Sequence, residues 1–459
     1  MNMIIVENKK SKGIFSGYII GLVFFALFIF FCYKIDFPLS IPLLFFVVGI
    51  YLNYFHKATV KLFLNLGLLL VILMFVTDSV LHYTDLSGYF VPVAGFSMLS
   101  ILLFNDIQLT FLLTLLSSVT ASLILGGDFN MMVIFLVGGL TGATVVKDAR
   151  NRDHLIGAGI MVSAVSAVSL FIVGDGSHQF LKSDFLVNKL YPLVANGFIS
   201  AALVAATLKI FETLFGVLTN YSLSELSDSN QPLLKRLIME APGTYQHCLV
   251  VGNLAEAASE EIGANPLLAR VGAYYHDIGK IVKADYFAEN QFKTPENKHD
   301  GIEPTMSRLV ILNHVKEGEE LARKYKLNLR LMDFISEHHG TSLVHFFYQR
   351  ALETAESGEV VKETDFRYPG PKPQSPETAI CMLADSVEGA IRSVEDPTPA
   401  RIEETVKKVV NNKFIDGQLD ECTLTLQQID KISKTFTRIL SAMHHARVKY
   451  PEKKIDDRR

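Results

Sequence analysis

Gly272-Ala-Tyr-Tyr-His-Asp-Ile-Gly-Lys280 decides how the C-terminal half of this chain folds and what it holds. An apolar helix over 267–275, begun by Pro266, runs into the polar pair His276-Asp277, and a polar break in an apolar pattern usually marks a site. Upstream, Val250, Leu254, Ala257, Ala258 and Ile262 keep helical spacing, put His247 on the preceding turn of an apolar face, and stop at Gly263. Downstream, a helix from about 304 to 325 bears Leu309, Leu312, His314 and Val315. A helix over 330–339 delivers His338-His339 at its end, where Gly340 provides the stop. A further helix, about 377–393, projects Asp385 among Met382, Ala384, Val387 and Ala390. With almost no strand pattern, the reading is all-α, and ligands on five helices of a bundle can converge on its core.

The residue types define the chemistry. Imidazole nitrogens and carboxylate oxygens suit iron, manganese or zinc, and a carboxylate can bridge two ions where a lone histidine cannot. His247, His276, Asp277, His314, His338, His339 and Asp385 make seven ligands, more than one four-coordinate ion needs and enough for two that share a bridge. Thirteen histidines in 459 residues will form pairs by chance, so His338-His339 alone would carry little weight. His444-His445 is such a decoy, set in a basic tail without an acidic neighbour. Cys32, Cys248, Cys381 and Cys422 have neither disulfide nor zinc spacing and read as reduced bystanders. Cys248 adjoins His247, but a helical neighbour points about 100° away and is a poor candidate ligand.

Composition separates the two halves. The net charge is −4, 49% of residues are hydrophobic and the mean hydropathy is +0.29, more apolar than an ordinary soluble enzyme. The excess lies in eight apolar stretches, at 14–33, 37–54, 60–77, 89–104, 109–125, 131–146, 155–173 and 193–218. Several reach the roughly 20 residues that cross ~30 Å of hydrocarbon. With the N-terminus inside, the inner loops hold Lys9, Lys10, Lys12, Lys57, Lys61, Lys147, Arg150 and Arg152, and the outer loops only Lys34, Lys182 and Lys189. Eight spans return the C-terminal half to the cytoplasm, and the long first run reads as a retained anchor, not a cleaved signal. Asp78 is read as the start of an outer loop continuing through His82 and Asp85. Gly138, Gly142, Gly157, Gly159 and Ser163 read as small residues for close helix packing.

The expected domains are a tail with the first anchor (1–36), a seven-span bundle (37–218), a linker helix (219–240), the metal-binding domain (241–450) and a charged tail (451–459). The linker helix begins at Gln231-Pro232 and carries Leu233, Leu234, Leu237 and Ile238. Segment 341–375, closed by Tyr368-Pro369-Gly370-Pro371-Lys372-Pro373, reads as a stiff connection or a lid over the ligands. No basic stripe suggests a DNA or RNA partner.

In order, spacing and helical setting, the ligand series resembles the membrane-anchored HD-domain phosphodiesterases of the PgpH type. The resemblance runs through Glu240-Ala-Pro-Gly-Thr-Tyr-Gln-His247, Val251-Gly-Asn-Leu-Ala-Glu-Ala257, the stretch quoted first, His338-His-Gly-Thr-Ser342, Phe366-Arg-Tyr-Pro-Gly-Pro-Lys-Pro373 and Leu383-Ala-Asp-Ser-Val-Glu388. It implies a seven-span bundle after one N-terminal span and hydrolysis of cyclic di-AMP to pApA. It also implies two divalent ions, iron or manganese, one on His247, His276 and Asp385, the other on His314, His338 and His339, with Asp277 as bridge. Such a pair can lower the pKa of a shared water and clamp phosphate oxygens for in-line attack by hydroxide. Lys280 is placed to steady the transition-state charge or protonate the leaving oxygen, with Thr341, Ser342 and Arg392 as candidate phosphate contacts. The expected partners are a cyclic dinucleotide and the bilayer, and a homodimer is allowed.

Two departures stand out. The family's large extracellular domain after the first span is replaced here by about three residues at 34–36, and Lys283-Ala-Asp-Tyr-Phe287 differs from the family's basic residue and proline. Rival readings are a cyclic di-GMP or other nucleotide phosphohydrolase and a receptor with a non-catalytic module. The Gly-Tyr-Pro signature of the cyclic di-GMP enzymes is missing after His339, and all seven ligand positions are filled. Transport is disfavoured because the bundle lacks paired buried charges.

Overall fold

The computed structural model describes residues 46, 49–50, 60–149, 151–173, 185–291, 298–355 and 360–444. Among them the chain is α-helical, without a strand and with one isolated bridge, Leu343 to Arg367. Two compact units divide it, 1–221 and 222–459.

In the first unit, α1 (Val60–Tyr83), α2 (Val93–Phe104), α3 (Ile107–Ile124), α4 (Phe129–Val146), α5 (Arg152–Val173) and α6 (Tyr191–Phe215) follow the last six of the eight expected spans. Among the described residues five helices are long and apolar enough to cross a membrane, and α2 belongs to a shorter apolar segment. The first expected span, and nearly all of the second, lie outside the described residues. α1 runs past Asp78 to Tyr83, about 36 Å of helix. Asp78 is therefore not the start of the outer loop: it lies within the helix and pairs with His82, one turn on, at 3.0 Å.

α2 is buried along almost its whole length because its neighbours come close. A methyl at Gly139 would stand 2.6 Å from Ser97 Oγ and 2.7 Å from Thr114 Cγ2, and one at Gly197 would stand 2.3 Å from the Gly159 carbonyl. Buried Ser97, Ser100, Thr114 and Ser118 donate to carbonyls one turn back on their own helices, which satisfies them without water. Gly157 has open space beside it and takes no part in this packing. Phe75, Ile172 and Ile210 stand exposed, as on a lipid-facing surface.

The second unit begins in the short α7 (Asn220–Leu226), which straddles the division, and continues with α8 (Pro232–Glu240). Leu233, Leu234 and Leu237 are buried, so α8 packs as part of this unit, where a separate linker was expected. α9 (Pro242–Ile262), α10 (Pro266–Tyr275), α11 (Pro304–Lys324), α12 (Leu329–Glu337) and α14 (Pro376–Arg392) are the five expected helices, within a few residues at each end. Their starts follow local chemistry. Pro stands in the first turn of α9, α10, α11 and α14, the Asn265 side chain accepts from the Leu268 amide, and Ser375 with Thr378 closes a capping box on α14. α15 (Pro399–Ile415) and α16 (Leu426–Met443) close the unit.

Segment 341–375 is neither a bare connection nor a free lid. It contains α13 (His345–Thr354) and folds back on itself: the Val344 amide donates to Phe366 O at 2.9 Å and the Tyr368 amide to Ser342 O at 3.0 Å. Phe347, Ala351 and Phe366 form its own small core.

Candidate metal centre

α9 contributes His247, the break after α10 contributes His276 and Asp277, and α11 contributes His314. The end of α12 adds His338 and His339, and the middle of α14 adds Asp385. What brings α11 in is Gly279: a Cβ there would fall 1.8 Å from the His314 carbonyl oxygen and 2.5 Å from the Gly318 nitrogen. Only a residue without a side chain lets the 3-10 stretch Ile278–Tyr286 lie against α11. Gly340, at φ +54, turns the chain directly after the histidine pair.

All seven predicted ligands meet. Asp277, His314, His338 and His339 form one group and His247, His276, Asp277 and Asp385 another, each with its donor atoms within 4.8 Å of one another. Asp277 divides its oxygens between them. Oδ2 lies 3.2 Å from His276 Nε2 and 3.6 Å from His247 Nε2, whereas Oδ1 lies 3.4 Å from His314 Nε2 and 3.6 Å from His338 Nε2. Asp385 faces His247 Nε2 at 3.1 Å with Oδ1 and His339 Nδ1 at 3.7 Å with Oδ2.

The imidazoles are aimed from behind. Nδ1 of His276, His314 and His338 is bonded to the carbonyls of Ala273, Ile311 and Ile335, and Nδ1 of His247 to Glu388 Oε2 at 2.6 Å. Donating Nδ1–H there turns the Nε2 lone pair toward the centre. His314 Nε2 and His338 Nε2 then stand 3.3 Å apart as two acceptors with no proton between them, an arrangement that a cation relieves. His276 Nε2 and Asp277 Oδ1 are buried without a hydrogen bond, and Asp277 Oδ2 has only its ion pair with Lys280. Orphaned buried donors of this hardness and number fit two divalent ions.

Charge is balanced by a lysine. Lys280 Nζ sits 2.7 Å from Asp277 Oδ2 and 3.0 Å from Glu289 Oε1, above the Phe287 ring, so it is a buried partner and not a solvated helix end. Burial would raise the Asp277 carboxyl, but Lys280 and His276 outweigh it and hold the group well below the usual carboxylate range. Burial likewise works against a charged His247, yet hydrogen bonds to Asp385 and Glu388 prevail and raise it to about 9. His314 is pushed down to about 3 by burial and His339 well below its ordinary value by burial and His338, which leaves both neutral. His339 and Asp385 are the least buried of the seven, their side chains 19% and 13% exposed, and mark the open edge.

The candidate phosphate contacts are already engaged. Thr341 bonds Gln418 through its amide and hydroxyl, Ser342 Oγ accepts from Lys413 Nζ at 2.7 Å, and Arg392 pairs with Glu388 beside His247. Cys248 lies 3.8 Å behind His276 Nδ1 and enters neither group, and His444 is exposed at the end of α16. His445 lies outside the described residues. Sequence reasoning missed Glu388, Glu289 and Tyr368. Glu388 was detectable as the residue one turn after Asp385 on the same helix face. Tyr368 stacks on His339 at 4.2 Å and 26°.

Residues 39–219 match the family described as 7TM receptor with intracellular HD hydrolase, and residues 244–390 match the HD domain. The chain is 38% identical over 409 residues to the cyclic-di-AMP phosphodiesterase PgpH of Bacillus subtilis, covering 87% of this chain and 56% of that protein. To PgpH of Listeria monocytogenes it is 36% identical, covering 85% and 53%. It thus spans just over half the length of these curated relatives. The crystal structure of the L. monocytogenes PgpH HD domain in complex with cyclic di-AMP is 46% identical, covers 47% of this chain and 100% of that one, and has a TM-score of 0.45.

Proposed function

Because the chain belongs to the family of seven-span membrane receptors with an intracellular HD hydrolase, we propose that it is a metal-dependent phosphodiesterase that hydrolyses cyclic di-AMP to pApA. The observation that carries this reading is the pair of donor groups sharing Asp277, whose two buried oxygens face opposite groups.

His247, His276 and Asp385 would hold one divalent ion and His314, His338 and His339 the other, with Asp277 between them. Bound there, two such ions supply water activation and stabilisation of charge on phosphate oxygens. The remaining work falls to the protein. Glu388 keeps the His247 proton on Nδ1, and the carbonyls behind His276, His314 and His338 do the same for those rings. Lys280 compensates Asp277 and Glu289, so the carboxylate stays ionised in a buried position. The open edge at His339 and Asp385 leaves room for a phosphodiester to approach. The α1–α6 bundle would anchor the enzyme in the membrane with the metal-binding unit on the cytoplasmic side, a reading supported by the excess of Lys and Arg in the inner loops.

The test is direct. Full-length protein reconstituted with iron or manganese is incubated with cyclic di-AMP and, separately, cyclic di-GMP. Release of pApA with preference for the adenine dinucleotide is expected. Preference for cyclic di-GMP would overturn the substrate, and no turnover by metal-loaded protein would overturn the activity.

A further inference from the structure

Lys413 on α15 is a cation that neither metal group uses. It is partly buried, its Nζ donates to Ser342 Oγ at 2.7 Å, and among the described residues it forms no ion pair. Two carboxylates act on it from a distance, Asp385 and Asp416. Both are committed elsewhere: Asp416 to Arg367 at 2.9 and 3.1 Å, Asp385 to His247 at 3.1 Å. Withdrawing an ammonium from water without a counter-anion is costly, and such a group usually awaits a partner.

Its place says which partner. The Ser342 amide donates to His339 O at 3.0 Å, and Ser342 O accepts from the Tyr368 amide at 3.0 Å. The Tyr368 ring in turn stacks on His339. One hydroxyl therefore ties the ammonium to the turn that carries His339, at the open edge of the centre.

We propose that Lys413 is a phosphate-binding residue: its ammonium, steadied by the Ser342 hydroxyl, takes an oxygen of the phosphodiester that lies across the two metal groups. The inference rests on the reading that this site takes a phosphodiester. A lysine acts there as a point charge for a single oxygen, where an arginine would demand two.

Inorganic phosphate is the probe. Full-length, manganese-loaded protein is titrated with phosphate by calorimetry, alongside metal content, Tm and cyclic di-AMP kinetics. In Lys413→Met, phosphate affinity is expected to fall about 10-fold or more and KM to rise. Metal content is unchanged, and Tm is equal to or above that of the parent because an uncompensated charge is gone. Ser342→Ala moves phosphate affinity the same way by less, with the fold intact. Unchanged phosphate affinity in Lys413→Met would sink the proposal. So would a fall in metal content and Tm alongside it, which marks a structural role, or parent protein that binds no phosphate. If parent protein binds phosphate yet hydrolyses no cyclic dinucleotide, the substrate reading fails and the phosphate titration still decides Lys413.

Discussion

Asp277 and Lys280 are one unit, and their mutants should behave oppositely toward metal. Asp277→Ala is expected to lose hydrolysis altogether and, by elemental analysis, to bind fewer than two ions per chain. Lys280→Met leaves Asp277 and Glu289 buried without their cation, a loss of about 3–5 kcal/mol for a broken buried pair. Added manganese supplies positive charge at the same place, so it should raise the Tm of Lys280→Met more than that of the parent. Equal increments in a thermal melt would refute the pairing. Glu388→Gln should keep the fold and weaken metal binding about 10–100-fold, since the carboxylate behind His247 sets its tautomer and basicity. Competition with a chelator measures this.

At the scale of elements, the contact between the 3-10 stretch and α11 is the most sensitive to substitution. Gly279→Ala would place a methyl inside the His314 carbonyl, which neither backbone can yield without moving His314 away from Asp277. Lower Tm together with lost metal is expected, whereas Gly157→Ala, with open space beside it, should be tolerated. The Arg367–Asp416 pair, which clasps segment 341–375 to the end of α15, should show a pH signature. Burial would raise the Asp416 carboxyl, but Arg367 and Gln418 hold it below its ordinary value. Its contribution is therefore present above about pH 4, the unfolded carboxyl range, and is lost as pH falls through the folded value. The stability gap between parent and Arg367→Met should close in strongly acidic buffer. Helices that carry ligands were legible because a polar pair ends an apolar period, with Pro, Asn and Gly punctuation at both ends. Glu289 was not, because a charged residue outside any ligand's helical turn looks the same in sequence whether it faces water or a site, whereas Glu388 lay one turn after Asp385 and was passed over. The end of α1 was misread for a related reason: Asp78 finds its partner in His82, one turn on, and the helix continues.

For the whole molecule, the loop charges make a prediction about sides. In a variant with its native cysteines replaced, Asp85→Cys should react with a membrane-impermeant maleimide added to intact cells, and Asp148→Cys only after permeabilisation. The reverse pattern would put the metal-binding unit outside. Chelator should lower the Tm of the C-terminal unit while leaving the bundle helical, since all seven donors belong to residues 222–459.

One carboxylate serves both donor groups, and that has a consequence for how the protein would answer to metal supply. An ion in either group would draw on the charge of the Asp277 carboxylate and repel a second cation in the other, so the two groups would fill in succession. Occupancy would then climb in two steps with metal concentration, and a metal-poor cell would hold half-filled molecules beside bare ones.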